Sequence, residues 1–366
     1  MSSIAALTTP SQNTKPGFTI YVDSVDANNC NTNNLEVKND VKIDGHINVI
    51  PSQIISGSLA LSLFPPEEVK IPGKSYNVSY SFFQDRIVCS GDNLDTTPSY
   101  SSDGVNFTSF TAPTTNQIIG WLPNIAQWVC LNYSSTDVYT SSDLTTWTAR
   151  PPSPQPFNGG GSGIFHSNNY NRLYYSSNAP SSGLTYTEDA NTWVNCNLPD
   201  VELYITEAPP SSGLGTGTGR MICTTSSGIY YSDDGKNFTL ASGNSLQGVT
   251  WSNTWKMFLG VTNNPAASSF VFYSYDGINW EIAYGVLPSG VAAWSVLWIE
   301  DLQLFVVGGD NYIAISSDGF SWRKLNITGI PLNLLVANYI SQWGMLTFSY
   351  GGLSSIFATQ KIFSKI

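Results

Sequence analysis

Charge is what this 366-residue sequence has least of: Asp, Glu, Lys and Arg together make up 11% of it. Helical solvent faces are built from Glu, Lys and Arg, so the shortage disfavours a helical protein, and the want of Leu heptads disfavours a coiled coil. Basic residues are the scarcer sign, 15 against 26 acidic, for a net charge of −11 at pH 7. Such a chain has no electrostatic footprint for a phosphate backbone, so nucleic acid is not an expected partner. Histidine occurs twice, at His46 and His166. That leaves no His-rich metal site and at most one residue for a Ser-His-Asp triad. The five cysteines, Cys30, Cys89, Cys130, Cys196 and Cys223, are odd in number and include no C-x-x-C pair, which suits small apolar residues in strands and neither a zinc site nor a disulfide framework. No long apolar run is uninterrupted: Val291 to Gly309 is cut by Glu300 and Asp301, so membrane insertion is not expected. The opening residues have neither a basic stretch nor a sustained apolar one, so no secretory signal is expected and the chain should stay in a cytosol.

What the chain has instead is 31 Gly, 20 Pro and 13% aromatic residues in a sequence that is 41% hydrophobic. The aromatic content disfavours disorder, and the composition as a whole favours an all-β protein. The length exceeds an ordinary single core, which leaves two domains or one large closed β architecture. Sequons at Asn77, Asn106, Asn132, Asn237 and Asn326 match N-x-[ST], but without a secretory route they need not be used, and the abundance of Asn and Thr accounts for them.

A repeat organises most of the chain. Tyr100-Ser-Ser-Asp-Gly-Val-Asn-Phe107, Thr140-Ser-Ser-Asp-Leu-Thr-Thr-Trp147, Tyr186-Thr-Glu-Asp-Ala-Asn-Thr-Trp193, Tyr231-Ser-Asp-Asp-Gly-Lys-Asn-Phe238, Tyr273-Ser-Tyr-Asp-Gly-Ile-Asn-Trp280 and Ile315-Ser-Ser-Asp-Gly-Phe-Ser-Trp322 align. Their aspartates, Asp103, Asp143, Asp189, Asp234, Asp276 and Asp318, are spaced by 40, 46, 45, 42 and 42 residues. The pattern reads as a hairpin turn: Gly accepts positive φ, Asp and Ser oxygens cap backbone amides, and the aromatic residue (Phe107, Trp147, Trp193, Phe238, Trp280, Trp322) packs back onto the strands. Two apolar strands precede each turn, as in Trp251-Ser-Asn-Thr-Trp-Lys-Met-Phe-Leu-Gly-Val before Asp276. Each unit is therefore four antiparallel strands in 40 to 45 residues, with the turn between the third and fourth, which is the size of one propeller blade.

These segments resemble the Asp-box (BNR) turns of sialidases, sortilin-type receptors and many other β-propellers, one residue shorter than the S-x-D-x-G-x-x-W form and similar to the compact boxes of phage and large-virus proteins. The resemblance covers residues 74–366 and implies a propeller; it carries little about function. A complete first blade before Asp103 and a box-free last blade after Asp318 give seven blades, or six if the terminal segments merge. The seventh is expected to use Leu332 to Tyr339, Trp343 to Ser349, Ser355 to Thr359 and Lys361-Ile-Phe, with Ile55 to Phe64 as a clasping edge strand.

Residues 1–53 differ in composition and form an expected N-terminal β attachment segment, with the propeller over 54–366. Leu35, Val37, Val41, Ile43, Ile47 and Val49 alternate with polar residues around a turn at Asp44-Gly45. So few residues cannot bury a core, so the segment must borrow a surface. Its wording resembles the shaft and attachment segments of phage and virus fibres, which implies capsid or fibre proteins as partners and allows a homotrimer; a tail packed on its own propeller is the other reading.

A search for chemistry finds no set. The resemblance to sialidases would require three substrate-binding arginines, a Tyr/Glu pair and an acid Asp, yet the chain has five arginines in all, Arg86, Arg150, Arg172, Arg220 and Arg323, without an R-I-P signature. The box aspartates read as structural turn residues and not as paired glycosidase carboxylates. Gly159 to Gly163 and Gly213 to Gly219 lack the Lys of a phosphate loop and read as blade-connecting loops. Most of Trp121, Trp128, Trp251, Trp255, Trp294, Trp298 and Trp343 read as blade packing, with a minority free to stack on sugars. No metal, cofactor or enzymatic activity is expected. The expectation is a virion surface or minor capsid component, located in the particle and used for protein or host-surface contact with a receptor or host glycans. A soluble glycan-binding propeller comes second and a divergent sialidase-like glycoside hydrolase third.

Overall fold

The structure is a computed structural model that describes residues 67–72, 77–90, 97–115, 117–133, 135–156, 163–179, 182–200, 202–262, 270–283, 287, 292–325, 334–341, 343–350 and 355–358. The strand patterns of the sequence form seven separate sheets of four antiparallel strands. Blade I holds β2 (Asn77–Ser81), β3 (Arg86–Ser90), β4 (Ser99–Ser101) and β5 (Thr108–Ser109); blade II holds β6 (Gln117–Leu122), β7 (Gln127–Asn132), β8 (Val138–Ser141) and β9 (Thr148–Arg150). Blade III holds β10 (Ile164–Ser167), β11 (Arg172–Ala179), β12 (Ser182–Thr187) and β13 (Trp193–Asn195); blade IV holds β14 (Glu202–Ala208), β15 (Arg220–Thr225), β16 (Gly228–Ser232) and β17 (Thr239–Ser242). Blade V holds β18 (Gly248–Ser252), β19 (Met257–Val261), β20 (Val271–Ser274) and β21 (Glu281–Ala283); blade VI holds β22 (Ala293–Ile299), β23 (Leu304–Gly309), β24 (Tyr312–Ser316) and β25 (Arg323–Lys324). Blade VII is made of β26 (Leu334–Ile340), β27 (Met345–Tyr350), β28 (Ser355–Ala358) and, at its outer edge, β1 (Glu67–Lys70).

The core is divided into seven clusters, each made by two consecutive blades. In blade V, Met257, Leu259 and Val261 meet Val296, Trp298 and Phe305 of blade VI, while Phe258, between them in sequence, meets Ile222 and Ile229 of blade IV. Alternate residues of one strand thus face opposite neighbours, the period-two geometry of a sheet buried on both faces. This is why Met257–Val261 and Leu304–Gly309 are apolar or small throughout and buried throughout. The series closes where Ile340, Trp343 and Met345 of blade VII pack on Val78, Ile87 and Cys89 of blade I. Seven sheets whose faces pack in a closed cycle make a seven-bladed propeller.

The ring is sealed by its first described strand, β1, which joins the sheet of the last three. Glu67 pairs with Ala358 and Lys70 with Ser355, so β1 supplies the fourth strand of the last blade. This corrects the expected outer strand of blade VII. The outer strand of blade VII is Glu67–Lys70 and not Lys361-Ile-Phe, and it is this strand that hides the edge of β28; residues 55–64 and 361–363 lie outside the described residues, as does the whole segment 1–53. A further correction concerns Gly213 to Gly219, which joins β14 to β15 inside blade IV and does not connect blades. Among the described residues no helix is long and apolar enough to cross a membrane.

Candidate functional site

The six aligned turns sit where the spacing put them, between the third and fourth strand of blades I to VI. In blade I, Ser101 Oγ donates to Asp103 Oδ1 at 2.9 Å and accepts from the amide of Gly104 at 2.8 Å, while Asp103 Oδ1 accepts from the amides of Val105 at 2.9 Å and Asn106 at 2.7 Å. The same scheme recurs at Asp143, Asp189, Asp234, Asp276 and Asp318. The residue after each aspartate has positive φ: Gly104, Gly235, Gly277 and Gly319 take it freely, whereas Leu144 (67°) and Ala190 (58°) take it against the Cβ penalty. Partial burial would raise the Asp234 and Asp276 carboxyls, but the amides and side chains bonded to them outweigh it and hold both down at about 2.

Each turn also reaches the blade before it. Gln84 of blade I donates to the Ser142 carbonyl of the second box, and Asn124 of blade II donates to that of Glu188 in the third at 3.1 Å. Arg172 of blade III donates to the Asp234 carbonyl at 2.9 Å, Arg220 of blade IV to that of Asp276 at 2.7 Å, and Trp255 of blade V to that of Ser317 at 2.8 Å. The first box closes the circle by packing Gly104 against Met345 and Trp343 of blade VII. The box aromatics follow the same rule: Phe107, Trp147, Trp193, Phe238, Trp280 and Trp322 each pack in the cluster shared with the preceding blade. The boxes are therefore clamps between blades as well as hairpin turns.

Arg220 is the most enclosed of these clamps. Its Nε and Nη2 bond Asp233 Oδ1 and Oδ2 at 2.7 and 2.8 Å, and its guanidinium lies 4.8 Å from the Tyr231 ring centroid. The bond to Asp233 leads the causes that hold the Arg220 pKa above its ordinary value. The Asp233-Asp234 pair is thus consumed by an arginine and a box, and among the described residues no group of three His, Cys, Asp or Glu is placed to hold a metal. Burial pushes the Cys130 thiol up, and the Cys196 thiol to about 12, so neither is a poised nucleophile. His166, in the inner strand β10, has a buried Nε2 with no hydrogen-bond partner, and burial lowers its pKa.

The face that carries the boxes also carries the turns between first and second strands, and most of the large apolar side chains that stay exposed among the described residues. Phe82 and Phe83 stand on that turn of blade I, Trp255 on that of blade V, and Val105 and Tyr275 in boxes; Leu240 and Ile282 stand on outer strands. Phe83 is 69% exposed, with its ring 6.2 Å from that of Trp121. Of the tryptophans expected in packing, Trp121, Trp128, Trp251, Trp298 and Trp343 are buried and Trp255 is exposed. The sequons at Asn77 and Asn132 are buried, and the amides of Asn106 and Asn237 bond box carboxylates, which explains these asparagines without glycosylation. Residues Leu35, Val37, Val41, Ile43, Ile47 and Val49 lie outside the described residues.

No protein-family model matches the chain, and no curated protein is significantly similar to it. Solved structures share the fold. Streptogramin B lyase is 14% identical with a TM-score of 0.59, covering 81% of this chain and 97% of its own. YCF48 bound to D1 peptide is 14% identical with a TM-score of 0.58, covering 82% and 97%. The outer coat vertex of COPII on membranes is 11% identical with a TM-score of 0.50, covering 80% and 85%. At these identities the likeness shows the fold and no more. It does correct one expectation: a lyase, an enzyme, is built on this fold, so the missing sialidase set is no ground for calling the chain non-enzymatic.

Proposed function

We propose that this chain is a protein-contact propeller held by its N-terminal segment: residues 1–53 attach the ring to a larger assembly, and the ring offers a face to protein. The observation that carries the reading is where the chain joins the ring. Glu67, the first residue of β1, pairs with Ala358, the last of β28, and that is the end of the third strand at which every other blade has its box. Whatever binds the residues before Glu67 meets the box face first, and that face holds the exposed Phe83, Val105, Trp255 and Tyr275. Rigid scaffolds with exposed turns suit such a role. Two propellers of similar fold, one solved with a bound peptide and one in a coat vertex, are supporting examples of contact with protein.

The finer reading is a virion surface or minor capsid component with capsid or fibre proteins as partners, and it rests on the fibre-like wording of residues 35–49. Deletion of residues 1–53 tests it. The remaining chain should keep its tryptophan fluorescence and melting behaviour but drop out of particles purified from the source cell; incorporation that survives the deletion overturns the attachment role. A glycan-binding reading is favoured by the exposed rings of Phe83 and Trp255, and a glycan array with Phe83→Ala and Trp255→Ala as controls decides it.

A further inference from the structure

We propose that the seam between blades V and VI, at the box end, seats an arginine side chain of a protein partner on the Tyr275 ring, beside the Glu281 carboxylate. The precedent lies in the propeller itself. In blades I, III and IV the tyrosine that opens the box carries a guanidinium of this chain: Arg86 lies 4.8 Å from the centroid of Tyr100, Arg172 4.2 Å from that of Tyr186, and Arg220 4.8 Å from that of Tyr231. Each of these arginines is the first residue of its blade's second strand. In blade V that place belongs to Met257, which is buried and uncharged. Its box tyrosine, Tyr273, is instead met edge-on by two other aromatic rings, Phe320 of the sixth box at 5.2 Å and Tyr275 at 5.7 Å. The three rings are thus one connected patch across the seam.

The turn calls for neither Tyr275 nor Phe320. In the other boxes serines or carboxylates stand at the place of Tyr275, and Val, Thr, Asn, Lys and Ile at that of Phe320. Only these two adjoining boxes put aromatic residues there, and Tyr275 is left 59% exposed. Charge then selects the occupant. The Tyr273 hydroxyl donates to Glu281 Oε2 at 2.6 Å, which fixes an exposed carboxylate beside the rings. Asp276 and Asp318 belong to the two boxes that carry Tyr275 and Phe320. Of the two basic residues in β25, Arg323 pairs with Ile315 on the side facing blade VII, so only Lys324, paired with Ala314, shares the seam. Aromatic faces attract cations, and a planar guanidinium stacks on them while it bonds a carboxylate.

Such a seat deepens the protein-contact reading, on which it rests, by naming the partner's chemistry. Peptide binding by the isolated protein reads the seat, whereas particle incorporation reads the attachment through residues 1–53, so the two can fail separately.

Titration of the full chain into a fluorescently labelled hexa-arginine peptide, followed by anisotropy, tests it. Binding should be saturable and tighter than that of a hexalysine peptide, because an ammonium does not stack. Tyr275→Ser should weaken it roughly fivefold or more, the loss of one exposed cation–π contact of about 1 kcal/mol, and Glu281→Gln should weaken it as well. Tyr275→Phe, which keeps the ring, and Phe83→Ser, which removes an exposed ring in blade I, should leave it unchanged. Absence of saturable binding at millimolar protein overturns the proposal, as does equal affinity for hexalysine. Weakening by Phe83→Ser equal to that by Tyr275→Ser also overturns it, since the net charge of −11 would then hold the peptide without a seat. Oligosaccharide binding that is lost in Tyr275→Ser, with no binding of the peptide, overturns it in favour of a saccharide.

Discussion

Replacing Arg220 with alanine tests whether the boxes clamp the blades together. The guanidinium makes two bonds to Asp233 and one, at 2.7 Å, to the Asp276 carbonyl in the next blade. With the side chains of Arg220 and Asp233 only 11% and 26% exposed, water replaces these bonds poorly. Breaking one partner of a buried pair costs about 3–5 kcal/mol; the partial exposure of Asp233 brings the expectation down to about 2–3 kcal/mol. For a chain of this size that is a fall in melting temperature of roughly 3–4 °C. Urea denaturation followed by tryptophan fluorescence reads the loss, and a cycle with Asp233→Ala separates the ion pair from the reach to Asp276. Arg220→Ala should cost more than Asp233→Ala, because only the first also orphans the carbonyl of the neighbouring blade. Equal costs, or a loss below about 0.5 kcal/mol, the range of an ordinary surface substitution, would refute the clamp.

Acid should weaken the ring in a defined window. Asp234 and Asp276 are held at about 2 against an ordinary 3.8, so their contribution is fully present above pH 4 and is lost as the pH falls through 2; after discounting for their exposure it is about 1 kcal/mol each. Denaturation midpoints unchanged between pH 5 and pH 2 would contradict this. The turn geometry predicts unequal responses at two equivalent positions. Gly235→Ala puts a Cβ 2.5 Å from the Tyr174 hydroxyl at a φ of 68° and should cost about 2 kcal/mol or more. Ala190→Gly relieves a φ of 58° while losing a buried methyl, and should stay within about 0.5 kcal/mol of the parent; a large loss there would show that φ at this position does not matter.

The turns were legible because their chemistry is local: Ser101, Asp103 and Gly104 satisfy one another within four residues, and the regular spacing of six such units implies a ring of blades. The long apolar runs that flank them, such as Leu304–Gly309, are what strands buried on both faces require. What was not legible depends on residues far apart in sequence. β1 pairs with β28 across nearly the whole chain, and its four residues, Glu-Glu-Val-Lys, show no alternation that would mark a strand. The reach of Arg220 to Asp276 and of Trp255 to Ser317 depends on how neighbouring blades are set, which spacing alone does not give. The order of Gly213 to Gly219 within blade IV was missed for a similar reason, since an unusually long first turn looks like a connection between blades.

The account depends most on the ring being closed by the pairing of β1 with β28, and a paired-cysteine experiment tests that directly. Lys70 and Ser355 face each other in adjacent antiparallel strands, a separation that a disulfide spans. Lys70→Cys with Ser355→Cys should oxidise spontaneously in the folded protein and raise its melting temperature, whereas Lys70→Cys with Ile356→Cys, one residue out of register and on the other face, should not. Failure of the first pair to form, or equal formation of both, would contradict a ring sealed by β1.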